Sequence, residues 1–481
     1  MSKKALNKQN LVALGADRLA DLCLELGEGS AEIKRRLRLE LTHAAGPEAL
    51  AHEVRKRIAT IRRSTSYVEW NRTRPLIRDL DTQLTMIADK IAPGAPDTAF
   101  DLLWQFVELA PSVYERTDDS NGSIGDIFRD AVTRFEDLAP HIQPNQPVLA
   151  ERIFAAMSDN GYGEWDGLLD YIGSALTPDG IVALKDAVDT YEAAPLPEDS
   201  MESRAVFVGA EPVGYSLDKD WSAKRKADEI RRWRQEIADL EGDVDAFLSQ
   251  FDVEQLENPT FAADAATRLI AANRATEAVP ILETVRDTAG KRFIPHTWDE
   301  AYVAALAALD RKEELHAFRW QRFSETLAPS YLRDLLKALP DFDDIEMEEK
   351  AKALAFSHRN FEAALGFFLD WPDRKLAADL ITARVDELDG DAYHALTPAA
   401  DALQHDHPLA ATLCRRAMIR YTLDKARSTR YKHAIQHFAE CASADAYIES
   451  YGQSIDHVAF TAELKAKHPR KSGFWSGVKS T

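Results

Sequence analysis

Cysteine is scarce in this 481-residue sequence: Cys23, Cys414 and Cys441 stand far apart or in helical surroundings with no pairing neighbour. So few thiols exclude a disulfide framework and point to a reducing compartment. Glycine and proline are also sparse, 21 of each, which disfavours a loop-rich β architecture. No apolar run is long enough to cross a bilayer. The basic opening "MSKKALNKQNLVAL" lacks the continuous apolar core and cleavage site of a secretory signal. No Gly-rich phosphate loop follows a strand, and neither GxSxG nor HExxH occurs. These absences lead us to expect a cytoplasmic protein with no membrane segment, no cofactor and no readable catalytic centre. An enzyme whose active site is assembled only by folding stays open as a third reading.

What is present is helical. A hydrophobic share of 45% with 29% charge is that of a globular chain with a core. "LVALGADRLADLCLELGEG" places Leu11, Leu14, Leu19, Leu22 and Leu26 on one stripe, and Gly27 and Gly29 stop it. Ser30 is the expected N-cap of the next helix, Gly46 lies beyond its end, and Pro47 opens another at a permitted first-turn position. Short Pro/Gly connectors favour antiparallel hairpins as the unit. Around "TYEAAPLPEDSMESRAVFVGAEPVGYSLDKD" the helical period fails, leaving a connector with a short extended piece at Val206–Val208. A long charged helix follows from near Asp220. The expected organisation is therefore a helical region over 1–190, a connector over 191–219, and a long helix followed by repeats over 220–481.

The repeats are irregular. "NRATEAVPILETV", "DRKEELHAFRWQRF", "HRNFEAALGFFLDW" and "HDHPLAATLCRRAM" each pair a polar turn with the start of an amphipathic helix. Aligning Ala278, Leu315, Ala363 and Ala410 gives steps of 37, 48 and 47 residues. The expected fold is all-α: antiparallel helical hairpins stacked as an irregular TPR-like α-solenoid, whose long lateral surface suits a macromolecular partner. The aromatic set Trp298, Phe318, Trp320, Phe323, Phe367, Phe368 and Trp371 is expected to be repeat core.

Four stretches, "DLEGDVDAFLSQF", "AATRLIAANRATEAVPILETV", "RKEELHAFRWQRFSETLAPSYLRDLL" and "RYKHAIQHFAECASADAYIESYG", resemble the helical-repeat portion of bacterial SWIM zinc-finger proteins. "DDSNGSIGDIFRDA" and "LAERIFAAMSDNGYGEWDGLLDYIGSAL" look like that family's upstream helices. Residues 1–110 look like the start of a related bacterial family of unknown function. The resemblance implies a helical, TPR-like interaction protein and no activity. It departs at a decisive point. The SWIM module needs Cys-x-Cys and Cys-x-His to close four ligands around zinc, and here no two cysteines are close, so the finger is absent.

Two stretches have metal-like spacing. In "ERTDDSNGSIGDIFRDA", Asp119, Asn121 and Gly122 fit the third, fifth and sixth positions of an EF-hand loop. Its first position is Thr117 and its twelfth Phe128, so the bidentate carboxylate is missing. The better reading is a turn, with Gly122 at positive φ and Ser123 or Asp126 capping the next helix. In "YKHAIQHFAEC", His433, His437 and Cys441 recur every fourth residue. Two histidines so spaced can grip zinc, but three collinear ligands cannot surround one ion. A packed or solvated helical face is preferred there, and no metal is expected.

Net charge is −21, yet residues 1–80 hold 16 Lys/Arg against 10 Asp/Glu. Phosphates would be repelled by the acidic body and could approach only at basic patches. Candidates are Lys34, Arg35, Arg36 and Arg38 with Arg55, Lys56, Arg57, Arg62 and Arg63. Next come Arg72, Arg74 and Arg78 beside Tyr67 and Trp70. A third set is Arg415, Arg416, Arg420, Lys425, Arg427, Arg430 and Lys432. The competing account pairs these cations with carboxylates of the chain and places Trp70 in the core. The leading expectation is a non-catalytic scaffold for a protein partner. The alternative is a nucleic-acid-associated protein using Arg35, Arg36, Arg62, Arg63, Arg72 and Arg74, with Tyr67 or Trp70 stacking on bases.

Overall fold

The computed structural model describes residues 6–43, 46–196, 206–208, 211–213, 219–288, 294–371 and 373–480. Their regular structure is helical apart from one antiparallel ribbon that pairs Val206–Val208 with Glu211–Val213 and an isolated parallel bridge between Val68 and Thr117. The extended piece expected in the connector is one of its strands. None of the described helices is long and apolar enough to cross a membrane.

The chain divides into two compact units, Met1–Ala272 and Asn273–Thr481. This division lies downstream of the connector at 191–219. The physical reason is helix Lys219–Glu241, which was expected to open the carboxy-terminal region. It instead packs on Pro178–Ala193 and joins the first core through Trp233, Ile230 and Ile237. Trp233 meets Phe154 and Tyr191 edge-on, with ring centroids 5.6 and 5.2 Å away. Its helix is charged on one side and apolar on the other, and the apolar side decides its unit.

In the first unit, local signals set the helix ends. Ile33 N–H donates to Ser30 Oγ at 3.3 Å, the cap expected there. Pro47 stands in the first turn of Pro47–Arg62. That helix buries Leu50, Val54, Ile58 and Ile61 at three- and four-residue spacing. Thr73–Thr85 runs into a π-helical turn, Met86–Ile91, whose Met86, Ile87 and Ile91 are buried. An aromatic group holds the middle of the core. Trp104 lies 4.8 Å from Trp165 and 5.6 Å from Phe135, centroid to centroid.

The second unit is built in chain order. Helices pair as His296–Ala308 with Lys312–Thr326, Asp343–Ser357 with Phe361–Asp370, and Tyr393–Leu403 with Pro408–Asp424. In each pair the second helix contains one of the four segments that align in the sequence. Asn273 and Asp310, which open the first two segments, are both left-handed, at φ 61° and 54°. Asn and Asp tolerate that region better than other side chains, which explains the polar turn residues. Trp298, Phe318, Phe323, Phe367 and Phe368 are buried, while Trp320 and Trp371 pack half-buried against them. The aromatic set is core, as expected.

Candidate functional site

Helix Tyr431–Ala444 carries the histidines, but the face that lines a groove lies one residue further round. His433 is exposed, His437 is half-buried with Nδ1 3.2 Å from Glu440 Oε2, and Cys441 is buried. Burial pushes the Cys441 thiol up to about 12, far from the thiolate a metal needs. The three do not converge. Among the described residues no group of three or more His, Cys, Asp or Glu is placed to hold a metal ion.

The adjoining rows Lys432, Gln436, Glu440 and Ile435, Ala439, Ser443 line a groove of about 810 Å³. Gln404, His405 and Arg415 form its other side, and Tyr447 stands at its end. Arg415 is the floor, 2% exposed. Its Nε lies 2.8 Å from Glu440 Oε2, and its Nη2 donates to Gln404 Oε1 at 3.0 Å. Asp401 Oδ1 adds a third oxygen at 3.5 Å. Burial would raise the Glu440 carboxyl, but Gln436, His437 and Arg415 together hold it below the usual carboxylate range. The floor charge is thus internally neutralised. What the groove presents outward is two amide side chains, the exposed Lys432 ammonium, a serine hydroxyl and apolar surface from Ile435 and Tyr447. That mixture suits recognition of a chain with backbone amides and side chains of both kinds.

Three other carboxy-terminal cations are also engaged, while Lys425 and Arg427 are exposed. Arg416 is buried beneath the Phe460 ring, 4.5 Å from its centroid, and donates to Ile455 O. Arg420 reaches Glu463 at 3.0 Å and Arg430 reaches Asp391 at 2.6 Å.

The amino-terminal cations split. Arg35 and Arg57 converge on Asp79, which is nearly buried; Arg57 Nε donates to Oδ2 at 2.8 Å and Arg35 stands at 3.9 Å. Arg36 pairs with Glu40 at 3.1 Å, Arg62 with Glu108 at 3.0 Å and Arg78 with Glu32 at 2.9 Å. Arg63 donates to Ala59 O. Arg72 and Arg74 are exposed and make no ion pair among the described residues. Trp70, assigned above to the core under the competing account, is 71% exposed, and Tyr67 is 60% exposed. The reason is local. Val68 N–H donates to Arg116 O at 2.8 Å in a parallel bridge with Thr117, which fastens the strand-like stretch through its backbone and leaves its neighbours facing solvent.

The stretch with EF-hand spacing folds as a helix start. Asp119 Oδ1 accepts Ile124 N–H at 2.9 Å and Oδ2 accepts Gly125 N–H at 2.8 Å, while Asn121 Oδ1 accepts Ser123 N–H at 3.1 Å. Gly122 is left-handed at φ 72°. The cap is therefore Asp119, not Ser123 or Asp126: the left-handed glycine folds the chain back so that Asp119 reaches over the first turn of Ser123–Thr133.

A model of the family of unknown function DUF6880 matches residues 1–477. The chain belongs to this family. No curated protein matches it. For this DUF6880 chain the groove residues were not legible as a set in the sequence. Lys432, Gln436 and Glu440 do share a row at four-residue spacing, and that was the available signal. Gln404 and His405 join them only because Pro408–Asp424 packs both on Tyr393–Leu403 and on Tyr431–Ala444, while Tyr447 follows the same helix in the turn Asp445–Tyr447.

Proposed function

We propose that the chain is a non-catalytic helical-repeat scaffold whose carboxy-terminal groove takes a segment of a protein partner. The observation that carries this reading is the groove floored by the Arg415–Glu440 pair, open to solvent and offering amides and apolar surface. Serial pairing of helices through short connections supports a TPR-like, solenoid-type stacking. The likeness to the repeats of bacterial SWIM proteins and a cytoplasmic setting belong to the same reading. Affinity capture at low salt is expected to recover one discrete partner with the wild-type chain. Gln436→Arg with Tyr447→Ala, both on the groove's outer surface, should lose it, while Tyr393→Ala, exposed elsewhere, should keep it. Recovery of nothing above background under several growth conditions would count against the proposal.

A second reading rests on a different surface. Exposed Tyr67 and Trp70 beside Arg72 and Arg74 combine stacking faces with cations that make no ion pair among the described residues, the chemistry of single-stranded nucleic-acid binding. Fluorescence anisotropy with labelled single strands should show affinity falling steeply with salt and weakened by Trp70→Ala. Equal affinity in wild type and Trp70→Ala would remove this reading.

A further inference from the structure

We propose that the amino-terminal hairpin, helices Ala16–Glu28 and Ala31–His43, is a self-association surface occupied by the same hairpin of a second copy. The sequence gives helix Ala16–Glu28 an apolar stripe, yet its one buried residue is Gly27. On that stripe Leu26 is 61% exposed, and on the companion helix Leu41 is 74% exposed. The next helix, Pro47–Arg62, has five buried positions, so the deficit belongs to this hairpin. Large aliphatic side chains left in water forgo the gain of burial, and a group of them marks an interface.

Charge identifies the occupant. Helix Ala16–Glu28 carries Asp17, Asp21, Glu25 and Glu28 against Arg18 alone. Helix Ala31–His43 carries Lys34, Arg35, Arg36 and Arg38 against Glu32 and Glu40. Asp17, Asp21, Lys34 and Arg38 are exposed and make no ion pair among the described residues. A uniformly acidic or basic partner would satisfy one helix and repel the other, and an anionic lipid surface would meet the same conflict. A two-fold axis resolves it, because it sets the acidic helix of each copy beside the basic helix of the other.

Cys23 provides the reporter. It falls among Leu19, Leu22 and Leu26 at helical spacing, one residue past the helix midpoint, so a two-fold pairing brings it near its own copy. It is exposed, whereas Cys414 and Cys441 are buried.

Sedimentation of the full chain is expected to show a concentration-dependent dimer, and a short bismaleimide should link wild type but not Cys23→Ser into dimers. Leu26→Glu with Leu41→Glu should weaken the dimer by at least about tenfold with an unchanged far-ultraviolet spectrum, since both positions are exposed. Lys34→Glu alone should weaken it, and Asp21→Lys in the same chain should restore it. A monomer at all concentrations would overturn the proposal. So would a dimer indifferent to the leucine changes, or binding of lipid vesicles through the hairpin without self-association.

Discussion

Both carboxylate oxygens of Asp119 are engaged by amide protons of the helix that follows. Asp119→Ala should therefore cost about 1–3 kcal/mol, the range for a lost cap with buried donors behind it. Asp119→Asn keeps one acceptor and should cost less. Gly122→Val should also destabilise, because a β-branched residue is strained at φ 72°. Chemical denaturation of the three variants measures these costs. Calcium should leave the melting temperature unchanged, since an ion that does not bind the native state gives no linkage stabilisation; a rise abolished by Asp119→Ala would restore the metal reading. Glu236 is a second residue-scale case. Burial, with Asp170, Asp166 and Asp239 nearby, pushes its carboxyl from an ordinary 4.5 up to about 7 despite Arg232. Across that window the unfolded chain has released the proton while the folded one retains it. Its contribution is thus fully present below 4.5 and lost as pH rises through 7. Glu236→Gln should flatten the fall in stability over this interval and leave the protein more stable above it, as denaturation at stepped pH would show.

At the scale of elements, two tryptophans part company. Trp233 is enclosed by Phe154 and Tyr191, so Trp233→Ala should cost about 3–5 kcal/mol. Trp70 is exposed, and Trp70→Ala should change stability by no more than about 0.5 kcal/mol. Comparable losses from both would contradict the placement of Trp70. In the second unit Asp299, nearly buried, accepts from Arg322 Nε at 2.9 Å and from Tyr331 O–H at 2.6 Å, tying three successive helices. Burial and this carboxylate push the Tyr331 phenol up to about 12. Asp299→Ala leaves the Arg322 guanidinium without its innermost partner and should cost about 3 kcal/mol, read from urea midpoints. A loss under half that size would mean that Glu325, also on Arg322, carries the charge alone.

For the whole molecule, separate cores imply separate responses. Hydrogen exchange should show Trp233→Ala loosening residues of the first unit and Asp299→Ala those of the second. Equal loosening of both by either variant would mean that the chain opens as one cooperative body. Circular dichroism should report a helical protein with almost no sheet, and strand content near a globular average would contradict the architecture.

The helices were legible because their causes are local. Apolar spacing, Ser30 before its helix, Pro47 in a first turn and the sparse glycine and proline act within a few residues, and no distant contact overrides them. The buried aromatics of the second unit were legible for the same reason: their spacing is that of a helix face. Only the tertiary structure decided where the first unit ends, because helix Lys219–Glu241 looks charged in the sequence and its allegiance depends on which core receives Trp233. It also decided the fate of the cations. Arg415 and Arg416 vanish from the surface while Arg72 and Arg74 remain, a difference set by carboxylates and rings brought from 14 to 44 residues away in the chain. The groove is tertiary in the same sense. Lys432, Gln436 and Glu440 share a helix row by periodicity, and Tyr447 follows in the next turn, but Gln404 and Arg415 face them only because helices pack, and packing is a property of surfaces that a linear pattern does not specify.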